Sequence, residues 1–238
     1  MKIVIPAYSK TYWCLKPFAY LFNKYWNTST GEAVILHYPK IPFSLPNNFE
    51  LHQVHYKDYP RNKWADGIIE YLEEIEDKSV IILLEDYWLV RKVNTEMIIM
   101  LSSLIKNNDD ILRIDLTTDR LYAGGMRDVG YVDYIDLVEA PGSPYQMSLQ
   151  AGIWHRENLL KVLKELSEHT RSSWEVEMRG TTILNEQFPD LKVLGTRQYP
   201  LRYENGVNDN KGINRKLRTM PEADKRFIEK WIIENDKK

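Results

Sequence analysis

Cysteine is nearly absent: Cys14 stands alone among 238 residues, which excludes a disulfide framework and any multi-thiolate zinc or iron–sulfur centre. The chain also lacks an apolar run of about 18 residues, the length a bilayer requires. The opening MKIVIPAYSK holds too short an apolar stretch for a signal-peptide core. The expectation is no export, no membrane span and a reducing, cytoplasmic setting. Charge of one sign is not in excess either, since Lys and Arg number 32 against 34 Asp and Glu, a formal net charge of −2. This disfavours a protein that wraps a polyanion. Glycine-rich phosphate fingerprints, internal repeats and low-complexity linkers are missing as well.

What the chain does have is 43% hydrophobic residues, enough for a substantial core, together with 7 Trp and 15 Tyr. Trp and Tyr join an apolar face to a hydrogen-bonding edge and suit both cores and sugar stacking. Hydrophobic period and punctuation predict strands at Lys2–Ala7, Glu32–Tyr38, Phe49–Tyr56, Ser79–Leu84 and Ile111–Leu116, interleaved with helices from about Pro17 to Trp26, over Asn62–Glu76 and over Asn94–Lys106. Further on, Leu121–Gly130 reads as loop, Tyr134–Glu139, Tyr145–Ile153 and Lys192–Gly195 as strands, and Glu157–Glu168, Trp174–Phe188 and Glu222–Asn235 as helices. This alternation predicts an α/β fold with a mostly parallel central sheet flanked by helices. Asn205–Asn214 is rich in Asn, Gly and Asp and reads as loop.

Ligands of open α/β sheets bind beyond the carboxyl ends of strands, and three segments follow strand runs with polar residues. Pro6-Ala7-Tyr8-Ser9-Lys10 is either a plain turn or a grip on a base or ribose. Glu85-Asp86 ends the most apolar strand. Two acids there require a cation, a helix N-terminus or a hydrogen-bonding partner, so they either hold Mg²⁺ or Mn²⁺ with substrate phosphates or cap the next turn. Neighbours in extended chain point oppositely, which sends one acid to the cleft and leaves the other to brace the fold. The third segment carries Gln150 to Glu157 and then Trp174-Glu175-Val176-Glu177. Its acids serve either as a general base beside an aromatic wall or as first-turn acids of a helix. His37, His52, His55 and His169 show no metal-ligand spacing, whereas His155 sits in a loop within reach of a phosphate. Asn27-Thr28-Ser29 matches a glycosylation acceptor that has no export signal to use it, and Lys211–Arg218 is the one basic cluster.

The run IVIPAY, helix, two strands, KWADGI, SVIILLED and later AGIWHRENL and WEVE resembles the GT-A-type glycosyltransferases that use nucleotide sugars. The resemblance covers roughly residues 1–200, with Glu85-Asp86 in place of the usual two spaced aspartates and Glu175 and Glu177 separated by Val176. It implies a single GT-A-like domain, a nucleotide-sugar-binding half over 1–118 and a smaller acceptor-side half over 119–238 with the C-terminal helix. By that resemblance Pro6, Ala7, Tyr8, Lys63, Asp66, Glu85 and Asp86 bind the donor, and Asp86 holds Mn²⁺ or Mg²⁺. Trp88, Gly152, Trp154, His155, Arg156 and Trp174 meet the acceptor or sugar, and Glu175 or Glu177 is the base. The implied partners are a UDP-, GDP- or CDP-linked sugar and a glycan or other hydroxyl acceptor, a nucleic-acid acceptor being disfavoured. The competing classes are a sugar-phosphate nucleotidyltransferase and a non-catalytic carbohydrate- or nucleotide-sugar-binding protein of the same fold. The first wants a glycine-bearing loop after strand one, which Pro6–Lys10 does not supply.

Overall fold

The first β-branched run becomes β1 (Lys2–Tyr8), with Ile3, Val4 and Ile5 wholly buried, as a strand covered on both faces requires. A 3-10 segment over Ser9–Cys14 leads into α1 (Leu15–Tyr25), whose third residue is Pro17, where a missing N–H costs no helical hydrogen bond. There follow β2 (Glu32–Tyr38), β3 (Phe49–Gln53), α2 (Trp64–Glu74), β4 (Ser79–Ile82), β5 (Tyr87–Leu89), α3 (Thr95–Lys106), β6 (Ile111–Asp115), β7 (Arg127–Val132) and β8 (Ile135–Glu139). The chain continues with β9 (Gly152–His155), α4 (Arg156–Ser167), α5 (Ser173–Gln187), β10 (Lys192–Thr196), β11 (Tyr203–Asn205) and α6 (Glu222–Asn235). This computed structural model describes residues 1–26, 32–57, 59–207, 214, 217 and 219–235. Asn27-Thr28-Ser29, residues 208–213 of the Asn-rich segment and all of the basic cluster except Asn214 and Leu217 lie outside the described residues.

Nine strands make one sheet in the order β3-β2-β1-β4-β9-β6-β10-β8-β7. The strands β1 to β4 are parallel, as are β6 and β10, and only β9 and β8 run against the others. The expected α/β architecture, a mostly parallel sheet between helices, is the observed one. On one face Ile3, Ile5 and Ala7 pack with Phe18 and Leu21 of α1 and Met97 and Leu101 of α3. Val4 and Val34 pack on the other face with Ile68 and Leu72 of α2, Leu159 of α4 and Val176 and Leu184 of α5. A separate antiparallel ribbon of β5 and β11 stands just beyond the carboxyl end of β4. No helix among the described residues is long and apolar enough to cross a membrane.

Four local expectations need correction. The strands β5 and β11 have three residues each, too few for a period to register. Part of the stretch read as loop is β7, a mostly exposed strand fastened to β8 by an Arg127–Glu139 ion pair. The strand at Phe49 stops at Gln53. Between Tyr145 and Gln150 there is no strand, because α5 side chains take the backbone donors: Gln146 N–H donates to Thr181 Oγ1 at 2.9 Å and Leu149 N–H to Glu177 Oε1 at 2.7 Å.

Candidate functional site

The carboxyl ends of β1 and β4 open into a cleft of about 280 Å³ lined by Pro6, Tyr8, Trp64, Asp86 and Ser173 among others, with Arg61 its lining cation. The N-terminal ends of α2 and α5 both reach this cleft through Trp64 and Ser173. A helix N-terminus carries partial positive charge and unsatisfied N–H groups, and α2 has no side chain capping its first turn. Alternation along β1 turns Pro6 and Tyr8 to the cleft and Ala7 into the opposite core.

The two acids of β4 divide their work. Glu85 is buried, and its Oε1 accepts the Tyr8 N–H at 3.0 Å and the Thr11 hydroxyl at 2.7 Å. Burial, with Asp86 adding to it, raises the Glu85 pKa to about 7, while the bonds from Thr11 and Tyr8 pull it down. Glu85 thus braces the turn that presents Tyr8. Asp86 is half-buried, its pKa also raised by burial; it lines the cleft beside Glu85, and its carbonyl accepts the Gly206 N–H at 2.7 Å. Asp86 offers one carboxylate, and among the described residues no set of three His, Cys, Asp or Glu groups includes it. That donor suits a hard divalent cation whose other ligands are phosphate oxygens and water.

A second wall is built by β6, β9 and α5. Arg113 and Asp115, on the same face of β6, are wholly buried. Arg113 donates to the Gln150 carbonyl at 2.8 Å and lies over the Trp154 ring at 5.1 Å. Asp115 accepts from Thr117 N–H and hydroxyl at 3.1 and 2.9 Å and from Arg120 N–H at 3.0 Å. Arg120 is buried too, bonded to Gln146 Oε1 at 3.0 Å and the Tyr145 carbonyl at 2.6 Å. Glu177, half-buried, has its pKa raised by burial, against the Leu149 N–H bond and the Arg113 charge. The Tyr87 phenol links the two walls. Burial raises its pKa, against a hydrogen bond to Gln150, and the charges of Asp86, Glu177 and Asp119 raise it further. Tyr87 stacks on Tyr203 at 5.1 Å, and Tyr203 lines a second cavity of about 270 Å³ with Thr117, Thr118, Tyr122 and Glu204.

Several sequence expectations do not survive this geometry. Trp88 and Trp154 are fully buried and have no face for a sugar; Trp88 packs edge-on against Trp13 with centroids 6.4 Å apart. His155 and Arg156 were expected at the cleft because they follow a strand, but β9 runs backwards, so His155 pairs with Ser79 at the far end of β4. There His155 caps α4, accepting the Asn158 N–H at 3.4 Å, and Arg156 donates to the Leu72 carbonyl at 3.0 Å. Gly152 makes room for a neighbour, not for substrate, since a Cβ there meets Arg113 Nε at 2.6 Å. Glu175 completes a capping box with Ser172, and its pKa is lowered by bonds from the Arg171 and Ser172 N–H groups. Lys63 and Asp66 pair with each other at 3.6 Å, and the cleft wall takes Arg61 and Trp64 from that segment. Trp174 is 63% exposed beside Ser173. Sequence reasoning missed Arg113, Asp115, Asp119 and Arg120; the signal was two charges two residues apart inside the apolar run ILRIDL.

No known protein family matches the chain, and no curated protein matches it. Solved structures that match include S. aureus TarS 1-349, a glycosyltransferase, at 13% identity and a TM-score of 0.47, over 85% of this chain and 59% of that one. The chain thus spans less than two thirds of that structure's length.

Proposed function

We propose that the protein is a nucleotide-sugar-dependent glycosyltransferase that transfers a sugar to a hydroxyl acceptor with inversion at the anomeric carbon. The observation that carries this reading is the chain of contacts from the cleft-lining Asp86 through its neighbour Tyr87, whose phenol is hydrogen-bonded to Gln150, to Glu177, whose Oε1 accepts the N–H of the adjoining Leu149 at 2.7 Å. The nucleotide lies in the 280 Å³ cleft against Tyr8 and Trp64, with its diphosphate met by Arg61 and the uncapped N-terminal end of α2. Asp86 would hold Mg²⁺ or Mn²⁺, which neutralises charge on the departing diphosphate. The acceptor occupies the 270 Å³ cavity beside Thr117 and Tyr122. Glu177 takes the acceptor hydroxyl proton as the acceptor oxygen bonds to the anomeric carbon and the bond to phosphate breaks. A carboxyl with a raised pKa is a stronger base than an ordinary one, and the Arg113 charge favours its ionised form.

Calorimetry with UDP-, GDP- and CDP-sugars and Mn²⁺, followed by transfer assays against hydroxyl acceptors, tests the reading. Glu177→Gln should retain donor binding and lose transfer, and Asp86→Asn should lose both. Failure of every nucleotide sugar to bind, or wild-type turnover in Glu177→Gln, overturns it.

A further inference from the structure

The outer edge of the sheet gathers side chains that the transfer reaction leaves unused. Glu70 and Glu74 are one helical turn apart on α2 and so share a face, and the edge strand β3 directs His52 towards them. One donor atom from each of the three lies within 4.8 Å of the others. His52 Nε2, 3.9 Å from Glu74 Oε2, is shut off from solvent and has no hydrogen-bond partner. A buried polar atom in that condition is a deficit unless a ligand meets it. The His52 ring is fixed edge-on to Tyr71 with centroids 5.0 Å apart. Glu70 is held from the other side by His55, through Nδ1 at 2.7 Å and the backbone N–H at 3.3 Å. Nothing in the residue spacing suggested this cluster, because its ligands come from two elements that meet only in the folded chain.

We propose that His52, Glu70 and Glu74 form a binding site for a borderline divalent transition ion, Zn²⁺ being the ion of choice, which ties β3 to α2. One imidazole nitrogen with two carboxylates, one of them oriented by a second imidazole, is a ligand set zinc accepts, with water in the fourth position. Bonds of about 2.1 Å in a tetrahedron put donor atoms about 3.4 Å apart, and rotation of the exposed Glu74 side chain closes the present spacing. The benefit is mechanical: β3 is the last strand of the sheet, paired on one side only, and edge strands need fastening. From Trp64, which lines the cleft, to Glu70 and Glu74 is about 9 and about 15 Å along the helix axis, which separates this ion from the donor cleft.

The test uses the metal-stripped full chain titrated with Zn²⁺ against a chromophoric chelator, with Co²⁺ as a visible-absorbing substitute and thermal unfolding in parallel. One Zn²⁺ per chain is expected, and it raises the unfolding temperature as a ligand specific to the folded state must. His52→Asn and the exposed-site change Glu74→Gln should each weaken binding about tenfold or more, and the double variant should lose the thermal shift while keeping its circular dichroism. Absence of Zn²⁺ binding, unchanged affinity in the double variant, or loss of binding in Asp86→Asn instead overturns the site. Each of these readouts is independent of sugar transfer.

Discussion

The two walls of the cleft handle buried charge differently. On the β1–β4 side Glu85 has no basic partner among the described residues: a backbone N–H and the Thr11 hydroxyl serve its carboxylate, and burial moves its pKa up to about 7. On the β6–β9 side the acid Asp115 and the bases Arg113 and Arg120 are interleaved, with carbonyls and Gln146 taking further donors. An isolated buried acid relaxes by taking up a proton, whereas an interleaved set keeps its charges and needs room for them. Glycine supplies the room. A Cβ at Gly152 meets Arg113 Nε at 2.6 Å, and a Cβ at Gly195 meets Arg120 Cβ at the same distance. The first wall is therefore the pH-sensitive one, and the second is the volume-sensitive one.

The largest effect that bears on this comparison is chemical. Glu177→Gln should lower transfer by about 10²- to 10⁴-fold with donor affinity retained in calorimetry; parallel loss of donor affinity would move Glu177 to the donor wall. Next comes volume. Gly152→Ala forces a Cβ against a buried guanidinium and should destabilise by about 1–3 kcal/mol in urea unfolding; an unchanged midpoint would mean that Arg113 yields easily. Glu85→Gln sharpens the other half. Because the folded pKa of Glu85 lies above its ordinary value of 4.5, its contribution to stability is complete below about pH 4.5 and is lost as pH rises through about 7. The glutamine variant keeps an oxygen for Tyr8 and Thr11 and should be more stable than wild type at pH 8 by about 3 kcal/mol, with the difference vanishing near pH 4.5. A constant difference across that window would show that Glu85 stays ionised. Smallest is Glu175→Ala, which removes half of a capping box and should cost about 1 kcal/mol with transfer within about twofold of wild type; loss of transfer would return Glu175 to the reacting atoms.

Legibility in the sequence followed burial pattern. β4 reads as a strand covered on both faces because Val80, Ile81 and Ile82 are all apolar and wholly buried, and the acids after it mark the cleft floor for the same reason. α3 starts at Thr95, after an Asn94 cap that accepts the Met97 N–H at 3.1 Å, close to its expected bounds. The second wall was harder to read. Arg113 and Asp115 lie within a run that scores simply as strand, and Tyr145–Leu149 imitates a strand although its donors go to Thr181 and Glu177 on α5. Aromatic residues misled most: Trp88 and Trp154 neighbour site segments along the chain, yet both are core.

By itself the amino-acid order determined the alternation of strands and helices, the burial of β1 and β4 and the acidic pair at the end of β4, since each depends on side-chain period and polarity within a few residues. Strand direction is set by hydrogen bonds to partners far along the chain, and only tertiary structure decided it. β9 lies antiparallel between β4 and β6, which carries His155 and Arg156 to the far end of β4 and leaves Gln150 beside Tyr87. The hydrogen bond of that phenol to Gln150, and the gathering of His52 with Glu70 and Glu74, are likewise properties of packing between elements and not of any local pattern.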